Sequence, residues 1–125
     1  MSAETDVEKC LQCVFSELGS GYTENVYHKA LEVELQNNNI SYETEVVMPI
    51  TYKGKRIAYI RLDFMVGNNI IIELKSVAKL TDLHKLQVQR YLEVCDKQSA
   101  ILCNFPNNSS CSIEIIRVTR VLNNA

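Results

Sequence analysis

No apolar run in this sequence approaches the roughly 18 residues that a helix needs to cross a bilayer, so no membrane span is expected. A secretory leader is not expected either. The opening "MSAETDVEKC" is polar and acidic, where a leader needs a basic segment followed by an apolar one. The chain is therefore read as intracellular, in cytoplasm or nucleus. Basic excess is also missing: 13 Lys and Arg stand against 15 Asp and Glu, a net charge of −2. That is not the footprint of a strong nonspecific nucleic-acid binder, although a local basic surface beside an acidic site is compatible with it. Internal repeats, linkers and low-complexity tracts are absent. Cys10 and Cys13 form a C-x-x-C inside a helical pattern, but no second ligand pair at zinc spacing follows, which favours packing over metal or redox chemistry. Five cysteines, an odd number, fit free thiols in a reducing compartment. Cys103 and Cys111 flank a turn, placed to face each other across a hairpin while staying reduced.

What is present is an ordinary globular balance, 46% hydrophobic and 22% charged over 125 residues, which fits one compact domain over 1–125. Val7, Leu11, Val14, Phe15 and Leu18 have helical spacing and predict a helix over 5–18, opened by a Thr5/Glu8 capping box. A second helix is predicted over 23–36, with Val26, Tyr27, Ala30, Leu31 and Leu35 on one face. The period then changes to two. "ISYETEVVM" alternates, Pro49 interrupts, "ITYKGKRIAYIRLDFMV" turns at Gly54, and "GNN" at 67–69 precedes "IIIELKS". A third helix is predicted over 82–95, with Leu83, Leu86, Tyr91 and Val94 buried. "SAILCNF" and "CSIEIIRV" read as final strands around the turn "PNNSS". The order is ααββββαββ, give or take one strand.

Three charges stand out inside the most hydrophobic strands, in "IRLDFMVGNNIIIELKS" at 60–76. A three-residue loop at 67–69 sets Asp63 directly opposite Glu73, with Cβ atoms about 4.5–5.5 Å apart on one face. Lys75, two residues on, shares that face. Leu62, Phe64, Ile70, Ile72 and Leu74 then form the opposite, core face. A sheet normally avoids facing carboxylates, and a divalent cation between them removes the conflict. Mg²⁺, with Mn²⁺ as substitute, prefers hard oxygen ligands of this kind. Lys75 is placed to orient or deprotonate a water, or to stabilise transition-state charge. Such a site suits phosphodiester hydrolysis. The plainer reading keeps Glu73 and Lys75 as a solvated pair beside Arg61.

Further segments extend the pattern. "GYTENVY" at 21–27 has the spacing G-x-x-E-x-x-Y, and it is followed by "ALEVEL", "YKGKR", "LDFMV", "IIELKSV", "LTDLHKLQVQRYL" and "ILCNF". In this order, over about 18–118, the chain resembles the GxxExxY protein family of the PD-(D/E)xK nuclease-like superfamily. The resemblance implies an α/β fold with a PD-(D/E)xK nuclease-like core: a mixed central sheet of about four to five strands, flanked by helices, with a metal site at its centre. It assigns Asp63, Glu73, the backbone carbonyl of Leu74 and Glu24 to the metal. Lys75 and Gln87 join Glu24, Asp63 and Glu73 as catalytic residues. Gln87 and Tyr91 match a Q-x-x-x-Y, and Tyr27, His84 and Tyr91 are substrate-side residues. Leu62 stands where the superfamily usually has Pro, which removes no ligand. Plainer readings stand beside these: Tyr91 as core, Gln87 as surface, His84 as structural, and His28 as surface. Tyr52, Lys53, Lys55 and Arg56 around the Gly54 turn read first as solvated hairpin charges, and second as the missing basic surface.

Three functions compete. The first is a Mg²⁺-dependent nuclease acting on DNA ahead of RNA, with a homodimer as the expected way to reach both strands. The second is a non-catalytic nucleic-acid or protein-binding and assembly module that keeps the nuclease fold, favoured by small size and acidic charge. The third is a metal-dependent protein acting on another phosphoester, such as a nucleotide.

Overall fold

The structure is a computed structural model, and residues 2–121 are described. Two helices, α1 (Ala3–Leu18) and α2 (Glu24–Asn37), precede three strands, β1 (Tyr42–Tyr52), β2 (Lys55–Val66) and β3 (Ile70–Lys75). Helix α3 (Asp82–Cys95) crosses over to β4 (Ser99–Asn104), and β5 (Glu114–Thr119) follows. The strands lie in the order β1-β2-β3-β4-β5. β3 and β4 run parallel across the α3 crossover, and the other neighbours are antiparallel. The architecture is thus α/β, a five-stranded mixed sheet flanked by helices.

The element order is ααβββαββ, one strand fewer than ααββββαββ. Pro49 does not interrupt: it sits inside β1 opposite Tyr59. β1 is an edge strand, where a residue without an N–H breaks no interior ladder bond. Helix α1 also begins earlier than its Thr5/Glu8 signature suggests. Ser2 caps it, its hydroxyl accepting the Thr5 N–H at 3.2 Å, and Glu8 pairs with Arg117 of β5. No helix among the described residues is long and apolar enough to cross a membrane.

Helices cover both sheet faces, so the central strands are buried twice over and read as continuous apolar runs. On one face Val7, Leu11, Leu31 and Leu35 of α1 and α2 pack with Phe64, Ile72 and Ile101. On the other, Val88 and Leu92 of α3 pack with Leu62, Met65, Ile71 and Leu102. Each such side chain contributes about 1.5–3 kcal/mol by leaving water. Two expectations are corrected here. Leu62 does not share a core face with Phe64; the strand turns over between them, where Glu45 of the neighbouring β1 has φ 51°. The face carrying the charges is only partly solvated: Glu73 is buried and Met65 and Ile71 on that side lie under α3, while Asp63 and Lys75 stay partly exposed.

Helix α3 has the predicted bounds but a different buried face. Val88, Leu92 and Cys95 point inward, whereas Leu83 and Leu86 are 72% and 48% exposed. Cys103 pairs in the ladder with Ile115, and Cys111 lies exposed before β5 begins. The two cysteines therefore do not face each other, and all five are free thiols.

Candidate active site

The β2–β3 hairpin has the expected register: Val66 pairs with Ile70 and Phe64 with Ile72. The next pair in that register is Asp63 and Glu73, and there the backbone ladder stops. The strands fork, and the two carboxylates replace the missing backbone bonds. Glu73 Oε1 accepts the Asp63 N–H at 3.1 Å, and Asp63 Oδ2 accepts the Leu74 N–H at 2.8 Å. Beyond the fork β3 pairs only with β4, Glu73 opposite Leu102 and Lys75 opposite Asn104.

Glu73 is 5% exposed. Burial, and then the adjacent Asp63 charge, hold its carboxyl far above the usual carboxylate range, while the Asp63 N–H and the Lys75 charge oppose the shift. Lys75 reaches across to α3, where its ammonium donates to Gln87 Oε1 at 3.3 Å. Tyr91, one turn further, is half-buried; its hydroxyl is shifted upward by burial and then by the Glu73 and Asp63 charges. His84 has a local duty. Its Nδ1 accepts the Thr81 N–H at 3.0 Å while the Thr81 hydroxyl accepts the His84 N–H, a reciprocal cap on α3. That leaves Nε2 as the protonated nitrogen of the neutral ring. Nearby, Lys75, His84, Gln87 and Arg90 line a groove of about 420 Å³ with Leu83 and Leu86.

Glu24 comes from the first turn of α2, and a buried tether holds it. The Tyr27 hydroxyl donates to the Gly19 carbonyl at 2.6 Å and accepts the Tyr22 N–H at 3.3 Å. Its ring stacks on Phe105 at 4.2 Å. Between them Gly21 takes φ 103°, a conformation open to glycine and strained for other residues. The Tyr22 carbonyl in turn accepts the Ser76 hydroxyl at 3.0 Å, tying the loop to the end of β3. The spacing G-x-x-E-x-x-Y thus builds a loop that presents Glu24. Tyr27, expected on the substrate side, is fully buried, and its hydroxyl is engaged in holding this loop. Burial, followed by the Asp63 charge, raises the Glu24 carboxyl, while Lys75 and His84 oppose this.

Glu24, Asp63 and Leu74 share a cleft of about 140 Å³ with Asn25, His28 and Glu45. His28 is no plain surface residue: it stacks on Phe64 at 4.3 Å. No motif or spacing in the sequence marks Glu45. It lies across from Asp63, between the pairs Thr44–Phe64 and Val46–Leu62. Asn104 carries no sequence signal either. It is fully buried, its side chain bonds both the N–H and the carbonyl of Val77, and its amide donates to Glu114. This clamps the loop leaving Lys75.

The donor set suits a hard divalent cation. Two carboxylates meet at the fork, one of them buried beyond what an isolated negative charge tolerates, and a cation bound there would add to the countercharge that Lys75 supplies. The site is not a preformed cage, however: among the described residues no three His, Cys, Asp or Glu side chains converge closely enough to hold an ion.

The fold has solved counterparts. SSO0001 is 20% identical with a TM-score of 0.62, over 98% of this chain and 79% of that one. A candidate exonuclease from Eubacterium rectale is 19% identical with a TM-score of 0.52, over 74% of this chain and 45% of that one. At these identities the likeness speaks for the fold. No curated protein sequence matches the chain. The sequence model of the PD-(D/E)XK nuclease superfamily matches residues 2–118, a span that takes in the fork, both helices around it and all five strands but the last residue of β5, and the chain belongs to that superfamily.

Proposed function

We propose that this protein is a divalent-metal-dependent nuclease that hydrolyses phosphodiester bonds, with DNA ahead of RNA as substrate and Mg²⁺ as the working ion. The reading rests on one observation above all, the meeting of Asp63 and Glu73 at a fork in the sheet beside the Lys75–Gln87 pair. Asp63, Glu73 and the Leu74 carbonyl would hold the ion, with Glu24 across the cleft as a further acid. When bound, the ion supplies Lewis acidity and neutralises charge developing on the phosphate. Lys75 orients the attacking water and stabilises the developing negative charge, and Gln87 fixes the Lys75 ammonium. His84 Nε2 and Tyr91 stand on the substrate side. The G-x-x-E-x-x-Y loop around Glu24 supports placement within the GxxExxY group of the superfamily, and a homodimer is the assembly proposed for cutting both strands.

The deciding experiment is a gel assay on labelled duplex, single-stranded and structured DNA and RNA with Mg²⁺ or Mn²⁺. Lys75→Met should abolish cleavage and leave the melting midpoint unchanged, and EDTA should abolish it in the parent. Cleavage by Lys75→Met at the parental rate would remove the mechanism. Nucleic-acid binding that survives EDTA with no cleavage under any ion would turn the assignment to a binding module.

A further inference from the structure

The outer ends of β1 and β2 form a two-stranded ribbon that leaves the body of the sheet, with residues 51–59 exposed throughout. Lys53 at φ 49° and Gly54 at φ 76° make the tight turn at its tip, a geometry that continues the strand twist. No Asp or Glu occurs from Val46 to Leu62, whereas Lys53, Lys55, Arg56 and Arg61 all do. The chain's net charge of −2 therefore divides into +4 on this segment and −6 elsewhere. Among the described residues every ion pair lies outside the ribbon. Two of the four cations instead lie against aromatic rings: Lys53 over Tyr52 at 5.4 Å and Arg56 over Tyr59 at 5.5 Å. Tyr59 is 57% exposed, and its hydroxyl accepts an Arg56 N–H at 2.5 Å. Packing does not account for large side chains solvated on both faces, nor do charge partners within the chain.

We propose that this ribbon is a second nucleic-acid contact, an arm that lies in a groove of duplex substrate and binds its phosphates at a distance from the bond cut at the fork. The inference rests on the nuclease reading of Asp63 and Glu73. Three physical points carry it. A two-stranded ribbon is one of the few shapes the major groove admits. Unpaired cations on a locally carboxylate-free surface gain most from displacing the counterions of a polyanion. The arm is also continuous with the site, since Arg56, Tyr59, Arg61 and Asp63 lie on one strand. With a strand rise of about 3.3 Å per residue, Arg56 lies about 23 Å from Asp63, or about six to seven base pairs along a duplex.

The test is binding of a fluorescent 20-base-pair duplex in EDTA, where nothing is cut, over a range of salt concentrations. The fourfold variant Lys53→Gln, Lys55→Gln, Arg56→Gln, Arg61→Gln should bind at least tenfold more weakly. Its log–log salt slope should be shallower by about 3.6, at about 0.9 for each of four lost phosphate contacts. Lys55→Gln with Arg61→Gln, two exposed side chains outside the hydrogen bonds and ion pairs among the described residues, should give about half the change in slope and serves if the fourfold variant folds poorly. Unchanged affinity and slope, or no duplex binding by the parent, overturns the inference. So does equal parental affinity for a single strand of the same length, or a parent that sediments as a dimer which the variant loses. Arm-dependent binding without Mg²⁺-driven cleavage sinks the nuclease reading alone, and cleavage with an indifferent arm sinks the arm alone.

Discussion

The Ser76 hydroxyl donates to the Tyr22 carbonyl at 3.0 Å, joining the end of β3 to a loop 54 residues earlier in the chain. Through this bond the helix that carries Glu24 is registered against the strand that carries Glu73 and Lys75. Tyr27 completes the join from below. Tyr27→Phe removes a buried hydroxyl with two partners and leaves the Gly19 carbonyl short of a donor. Urea unfolding should show a loss of about 1–3 kcal/mol. Cleavage should fall through kcat with KM little changed, because Tyr27 acts by placing Glu24. A variant of parental stability with a raised KM would return Tyr27 to the substrate.

Glu73 gives a stability signature with a definite sign. Its carboxyl titrates higher in the folded chain than in the unfolded one, chiefly through burial. Its contribution is thus fully present below the ordinary carboxylate range and is lost as pH rises towards the raised folded value. In EDTA the parent should lose stability steadily between mildly acidic and mildly alkaline pH. Glu73→Gln should flatten that slope and be more stable than the parent at pH 8, while losing cleavage. Mg²⁺ should stabilise the parent at pH 8 and leave the variant unmoved. Thermal melts on a grid of pH and Mg²⁺ check all three.

Gln87→Ala tests the Lys75 contact. The Lys75 ammonium loses its acceptor at 3.3 Å but keeps its place on β3. The cleavage rate should fall by about ten- to a hundredfold, corresponding to about 1.4–2.7 kcal/mol of barrier. The loss should lie in kcat with KM little changed, because the Lys75 ammonium and not the substrate has lost a contact. A raised KM at unchanged kcat would reassign Gln87 to simple substrate binding.

The thiols divide cleanly. Cys13 and Cys111 are exposed, and Cys10, Cys95 and Cys103 are buried. Burial, and then the Glu34 charge, push Cys10 up to about 11, so its reactive thiolate is scarce at neutral pH. Alkylation of the native protein at pH 8, followed by mass spectrometry, should label Cys13 and Cys111 within the time that leaves Cys10 unmodified. Cys10 labelling should accelerate as pH rises towards 11.

Much of this was legible in the residues. The "GNN" loop fixed the β2–β3 register because a short loop leaves little choice of pairing, and Asp63 met Glu73 as its length requires. Helix α3 was bounded by Thr81 and Cys95 as its pattern implies. Glu45 was hidden by a bulge. The pairing of β1 with β2 shifts by one residue between Ile50 and Thr51. Counted from the Gly54 turn without that shift, Glu45 falls opposite Leu62 and away from Asp63. One extra residue in a strand reverses which side chains meet, and nothing in a single sequence marks where it is inserted. Leu83 and Leu86 misled for another reason. Spacing shows which residues of a helix share a face but not which face a tertiary partner will cover, and Val88, Leu92 and Cys95 were covered instead. Ser76 and Asn104 act over long separations in the chain, where local pattern carries no signal.

Because each acid at the fork stands in for a backbone partner, Asp63 and Glu73 answer to two demands at once, continuity of the sheet and negative charge at its opening. Truncation to alanine fails both together, stranding the Leu74 or Asp63 amide, and a dead enzyme obtained that way says little about chemistry. The amide isosteres Asp63→Asn and Glu73→Gln keep an oxygen for the orphaned N–H while giving up the charge. They are the substitutions that separate architecture from the proposed catalysis.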